Sequence, residues 1–92
     1  MATIIEENVP RLPRHVKFRF DQAREAWVVL APEKVFMPDE IAVEVLKRCD
    51  GDTTLKDIID DLARTFEAER DVVAADVVAM LQDLADKGII TT

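Results

Sequence analysis

The chain has no serine and no tyrosine, one cysteine, one histidine, one tryptophan and two glycines. Each shortage removes a class of chemistry. Without serine there is no serine nucleophile, and no serine to carry a phosphopantetheine arm, although small acidic helical proteins often invite that reading. One cysteine cannot form an internal disulfide, which fits a reducing cytoplasm. Two glycines, Gly51 and Gly88, cannot build a glycine-rich phosphate loop. A single His15 far from Cys49 makes no metal cluster. The longest apolar run is too short to span a bilayer, and Glu6 and Glu7 stand where a secretory signal would be basic. The sequence therefore predicts no membrane span and a cytoplasmic location.

What is present is a half-apolar chain of 92 residues with a net charge of −7, enough for one domain with a modest core. Residues 1–38 carry six basic and five acidic side chains, whereas residues 39–92 carry six basic and fourteen acidic ones. An acidic half repels phosphate backbones, because nucleic-acid affinity comes largely from neutralising phosphates.

The organising stretch is Trp27 to Met37. Trp, Val and Phe suit a pleated surface, Pro32 suits the second position of a turn over Ala31 to Lys34, and Pro38 ends the following strand at Met37. Upstream, residues 1–13 hold Pro10 and Pro13 without a sustained period and read as a mobile lead, with Val9 and Leu12 as its candidate pins and residues 14–92 as the single domain. Arg14 to Phe20 alternates, putting Val16, Phe18 and Phe20 on one face and His15, Lys17 and Arg19 on the other. Trp27 to Ala31, apolar almost throughout, predicts a middle strand with its second face partly covered. Lys34 to Met37 predicts a third strand at the sheet edge.

Helical spacing follows. Asp39 predicts an N-cap, and Ile41, Ala42, Val45, Leu46 and Cys49 mark the inner face of a helix to about Arg48. Gly51 suits the left-handed stop. Thr54 with Asp57 resembles a capping box ahead of Leu55, Ile58, Ile59, Leu62, Ala63 and Phe66. A third helix from about Asp71 turns Val73, Val77, Met80, Leu81 and Leu84 inward, and Gly88 ends it before an extended Ile89-Ile90 tail. Three strands followed by three helices predict an α+β, winged-helix-like domain.

No catalytic set emerges. Cys49 follows the apolar spacing and sits where the helix dipole and acidic neighbours disfavour a thiolate. Asp50, Asp52 and Thr54 open like a calcium loop, but Leu55 stands where that loop needs glycine. Asp60, Asp61, Glu67 and Glu69 read as a solvated face. As a DNA reader the third helix has the wrong sign, presenting Asp71, Asp76, Asp83 and Asp86 against Lys87. The sequence predicts a protein that binds without transforming, with no cofactor and no metal.

Pro10-Arg11-Leu12, His15-Val16-Lys17, Val29-Leu30-Ala31-Pro32-Glu33 and Asp50-Gly51 ahead of Thr54 resemble the PqqD family of pyrroloquinoline quinone biosynthesis. So do Ile58-Ile59, Val77 to Leu84, and Gly88-Ile89. The resemblance spans about residues 9–90, with Asp39-Glu40 more acidic than the family's usual helix start. It implies a peptide chaperone, a recognition element for ribosomally made peptides. Such a domain holds the precursor peptide as an added strand beside the third strand and against the third helix. It then presents the peptide to a radical S-adenosylmethionine enzyme that crosslinks Glu and Tyr side chains. The expected peptide site is Lys34, Val35, Phe36 and Met37, with Met80 and either Asp76 or Val78 from the helix flanks. Either the strip His15, Lys17, Arg19 or the acidic helix surface around Asp60 and Asp61 would face the enzyme. Two alternatives are a winged-helix module in transcription, disfavoured by charge, and an enzyme-stabilising subunit that binds no peptide.

Overall fold

The computed structural model describes residues 3–32 and 34–92. Its elements run β1 (Lys17–Asp21), β2 (Ala26–Ala31), β3 (Lys34–Phe36), α1 (Glu40–Lys47), α2 (Leu55–Thr65) and α3 (Arg70–Asp86). The sheet is antiparallel in the order β1-β2-β3. This is the α+β arrangement of three strands followed by three helices that the sequence predicts. Glu33, within the expected Ala31–Lys34 reversal, lies outside the described residues, but Ala31 does pair with Lys34.

Val28 and Val29 point to opposite faces of β2, and both are 1% exposed, so the middle strand is covered on both sides. Val29 joins Leu46, Leu55, Ile58, Ile59, Leu62, Val77, Leu81 and Leu84 in the main core. The two predicted caps are formed. The Asp39 carboxylate accepts from Ala42 N at 2.8 Å, and Thr54 Oγ1 accepts from Asp57 N at 3.2 Å. Gly51 and Gly88 take φ of 82° and 77°, the left-handed conformation that a chain needs to leave a helix sharply.

Boundaries and faces differ from the sequence pattern in several places. Val16 N donates to Pro13 O at 3.0 Å, so Arg14 and His15 sit in a turn and β1 starts at Lys17. Regular β3 stops at Phe36, one residue short of the predicted Met37. Ile41 lies on the exposed flank of α1, where Val43 is buried in its place. Phe66 falls at the C-cap of α2 and is exposed. Periodicity marks a face but does not show where packing against it ends.

Residues 4–12, expected to be a mobile lead, make contacts that a free lead would lack; residues 1 and 2 lie outside the described residues. The first N–H groups of a helix have no intrahelical partner, and here the N-terminal segment supplies acceptors. Leu55 N donates to Asn8 O at 2.8 Å and Lys56 N to Glu6 O at 2.9 Å. Ile4 is buried in the core and its N–H donates to Gln82 Oε1 at 2.8 Å. Arg11 exchanges backbone bonds of 2.9 Å with Thr91 in both directions. Arg70, at the start of α3, clamps the segment by pairing with Glu6 at 2.6 Å and also with Asp60.

This clamp predicts an acid-sensitive fold. Hydrogen bonds from Arg70 hold the carboxyls of Glu6 and Asp60 below their ordinary range, and Arg48 does the same for Asp61 and Glu44. A depressed carboxyl pKa contributes stability that is present above its unfolded value, about 4. That stability is lost as pH falls through the folded value. The thermal midpoint should therefore drop below about pH 4, modestly because these pairs are solvent-screened. Arg70→Gln should lower it at neutral pH and converge with the wild type at the acid end. Parallel curves would show that these pairs contribute nothing.

Candidate peptide-binding site

β3 has one neighbour, so its other edge is open. Ala31 and Lys34 face each other across a two-residue connection, which makes them a hydrogen-bonded pair. Because such pairs alternate, Val29↔Phe36 is the next one, and Leu30↔Val35 is not hydrogen-bonded. The N–H and C=O of Val35 therefore point away from β2, to the free edge. Val35 is 58% and Met37 56% exposed, two apolar side chains on one face of an unprotected edge.

On the other face, Phe36 packs against the core. Beside it lies a groove of about 440 Å³, lined by Val29, Ala31, Lys34, Val35, Phe36, Lys87 and Ile89. Ile89, bonded through its N–H to Leu84 O at 2.9 Å, gives the groove an apolar wall. Lys87, paired with Asp83 at 2.9 Å, gives it a charged rim. Among the expected site residues, the structure thus brings Lys34, Val35 and Phe36 together, with exposed Met37 following the strand.

The α3 residues divide between two flanks. At about 100° per residue, Met80 lies about 20° from Lys87 and about 40° from Asp76, on one flank of α3. Met80 is half-buried and Asp76 exposed. Val78 lies about 160° around from Met80. It lines a different groove of about 720 Å³ with Ile4, Ile5, Glu6, Glu7, Thr54 and Lys56. Neither Met80 nor Asp76 lines the strand groove; Asp76 shares the angular side of Lys87 about three turns before it, and Val78 lies on the other side. Lys87 and Ile89 were not anticipated in the strand groove. Gly88 marks them as the end of α3, but nothing in the one-dimensional pattern brings that end back beside β3.

Chemistry is sparse. No group of three or more His, Cys, Asp or Glu among the described residues can hold a metal ion. No helix among them is long and apolar enough to cross a membrane. Cys49 is buried, its Sγ donates to Val45 O at 3.3 Å, and burial with Asp50 nearby pushes its thiol up to about 12. Iodoacetamide at pH 8 should label it only at the rate of unfolding; fast labelling of the folded protein would contradict this burial.

The profile of the family described as "Coenzyme PQQ synthesis protein D (PqqD)" matches residues 26–90. The chain is also 56% identical over 89 residues to a "PqqA binding protein" of Rhodopseudomonas palustris (strain BisB5), covering 97% of this chain and 87% of that one. The chain belongs to the PqqD family. Another PqqD relative is the "Bifunctional coenzyme PQQ synthesis protein C/D" of Methylorubrum extorquens. It is 45% identical over 83 residues, which are 90% of this chain but 22% of that one. The solution NMR structure of the PqqD truncation of Methylobacterium extorquens PqqCD superposes with a TM-score of 0.81 at 42% identity. It covers 97% of this chain and 95% of that domain, and is described as a functional, stand-alone recognition element for ribosomally synthesized and post-translationally modified peptides. The crystal structure of PqqD from Xanthomonas campestris is similar with a TM-score of 0.57 at 38% identity, covering 92% of this chain and 94% of that one.

Proposed function

We propose that this protein is a non-catalytic peptide chaperone of pyrroloquinoline quinone biosynthesis. It binds the precursor peptide as a strand along Lys34 to Met37 and presents it to a radical S-adenosylmethionine enzyme. The observation that carries this reading is the open β3 edge beside a groove walled by the end of α3. The names of its relatives support it, since they give PqqA as the ligand, and so does the recognition-element description of the M. extorquens domain.

Main-chain bonds supply affinity in strand addition, and alternate side chains supply selectivity. Each such bond nets about 0.5–1.5 kcal/mol, whereas micromolar binding needs about −8 kcal/mol. The remainder falls to apolar burial against Val35, Phe36, Ile89 and the Met80 flank, with Asp76 beside it. Calorimetric titration of the whole chain with a synthetic PqqA peptide should give saturable binding of one peptide per chain. Absence of binding at millimolar peptide would reject the proposal.

For the enzyme contact, Asp60 and Asp61 are already engaged by Arg70, Arg48 and Arg64. Lys17 and Arg19 are exposed on β1, which favours the basic strip as the docking face. Lys17→Glu with Arg19→Glu should then weaken assembly of the peptide-loaded protein on the radical S-adenosylmethionine enzyme, while Asp60 and Asp61 reversals act only through the fold.

A further inference from the structure

A third groove, about 550 Å³, is lined by Arg11, Pro13, Arg14, His15, Ala85, Gly88, Ile90 and Thr91. The segment 87–90 contributes to both this groove and the strand groove. Lys87 and Ile89 line the strand groove, while Gly88 and Ile90, the residues between and after them, line this one. The sheet register puts both at the same end. Lys17 faces Leu30 and Leu30 faces Val35, so the residues preceding Lys17 lie beyond the Lys34 end of β3.

The groove is basic and its cations are uncommitted. Arg11 and Arg14, like Lys17, Arg19, Lys34 and Lys56, have no salt bridge among the described residues, whereas Arg24, Lys47, Arg48, Arg64, Arg70 and Lys87 are each paired. Nearby carboxylates are occupied elsewhere. Asp50 bridges Arg11 through the backbone, but its side chain accepts from Asp52 N, Thr53 N and Thr53 Oγ1. Asp86 accepts from Gln82 Nε2 at 3.1 Å. The last carbonyls of α3 oppose an anion, yet those of Asp83, Leu84 and Ala85 accept from Lys87, Ile89 and Gly88. Arg11 is held in place by its paired backbone bonds to Thr91 and by Gly51 N donating to Pro10 O. Beside Gly88 the wall is open, with nothing within 4 Å of the position a Cβ would take.

We infer that this groove is a subsite for carboxylate side chains of the bound peptide, read by the guanidinium groups of Arg11 and Arg14. Guanidinium groups match carboxylates in a planar, two-bond geometry. The inference rests on the proposed strand addition, taken as antiparallel to β3. A peptide antiparallel to β3 runs from the Phe36 end to the Lys34 end, so the acidic residues follow its strand-forming segment in sequence. Acidic residues before that segment gain nothing.

The test uses the whole chain and a synthetic PqqA peptide whose strand segment has first been mapped by amide NMR. Versions carrying three Glu or three Gln directly after that segment are titrated at low and high salt. The Glu version should bind about tenfold tighter at low salt, with the advantage shrinking as salt rises. Arg14→Glu should abolish the advantage. Lys56→Glu, an equal charge change in the Val78 groove, should leave it intact, as should the fold of both variants by circular dichroism. Equal affinity of the two peptides, or an advantage that survives Arg14→Glu, would overturn the subsite while leaving strand addition standing. An advantage seen only when Glu precedes the segment would overturn the polarity. Failure of every peptide to bind would remove the proposed function and this inference together.

Discussion

Val35→Pro should leave the domain folded and reduce peptide affinity by more than about tenfold, because an edge-strand proline removes a donor only from the free side. The Val35 N–H faces outward by the alternation fixed at Ala31↔Lys34, and Val35 is largely exposed, so no internal bond and little packing are lost. Phe36→Pro should behave in the opposite way. It removes the N–H that pairs with Val29 and a ring packed against the core, so unfolding should come first. Circular dichroism and calorimetry on the two variants separate these outcomes. A folded Val35→Pro that binds peptide at wild-type strength would place the peptide elsewhere.

The largest loss of stability should come from Leu81→Ala. Leu81 is 0% exposed on the α3 face it shares with Val77 and Leu84, in one core with Ile59 and Leu62 of α2. Leu-to-Ala cavities in such sites cost about 3–5 kcal/mol, against roughly 5–14 kcal/mol of total stability for a chain of this length. The thermal midpoint should fall by about 15 °C or more, whereas Leu81→Met, which conserves volume, should cost under about 1.5 kcal/mol. Saturating peptide should recover part of the Leu81→Ala loss, since a ligand that binds only the folded state raises its apparent stability. Recovery in the Val35→Pro background would show that the peptide binds at another surface.

Strands, helices and caps were legible because each is a local signal. Val28 and Val29 announce a strand covered on both faces, Asp39 and Thr54 announce helix starts, and Gly88 a stop. Half of the candidate site was legible for the same reason, since an edge strand follows from short loops and Pro38. The other half depends on distant segments meeting. Lys87 and Ile89 return beside β3 only through the tertiary packing that brings the end of α3 to the strand groove. The docking of residues 4–12 shows the same limit. Prolines and missing periodicity suggested a mobile lead pinned at most through Val9 and Leu12, and did not show that the N–H groups of Leu55 and Lys56 donate to the carbonyls of Asn8 and Glu6. A chain satisfying another element's backbone leaves no periodic trace of its own.

The most direct test of strand addition is amide NMR of the whole chain during titration with the PqqA peptide. The largest shifts and the greatest slowing of hydrogen exchange should fall on Val35 and its neighbours Lys34 to Met37. Smaller shifts are expected at Met80, Lys87 and Ile89, with Val78, Ile5 and Lys56 little changed. Shifts centred on the Ile4–Val78 groove, with Val35 exchange unaltered, would contradict it.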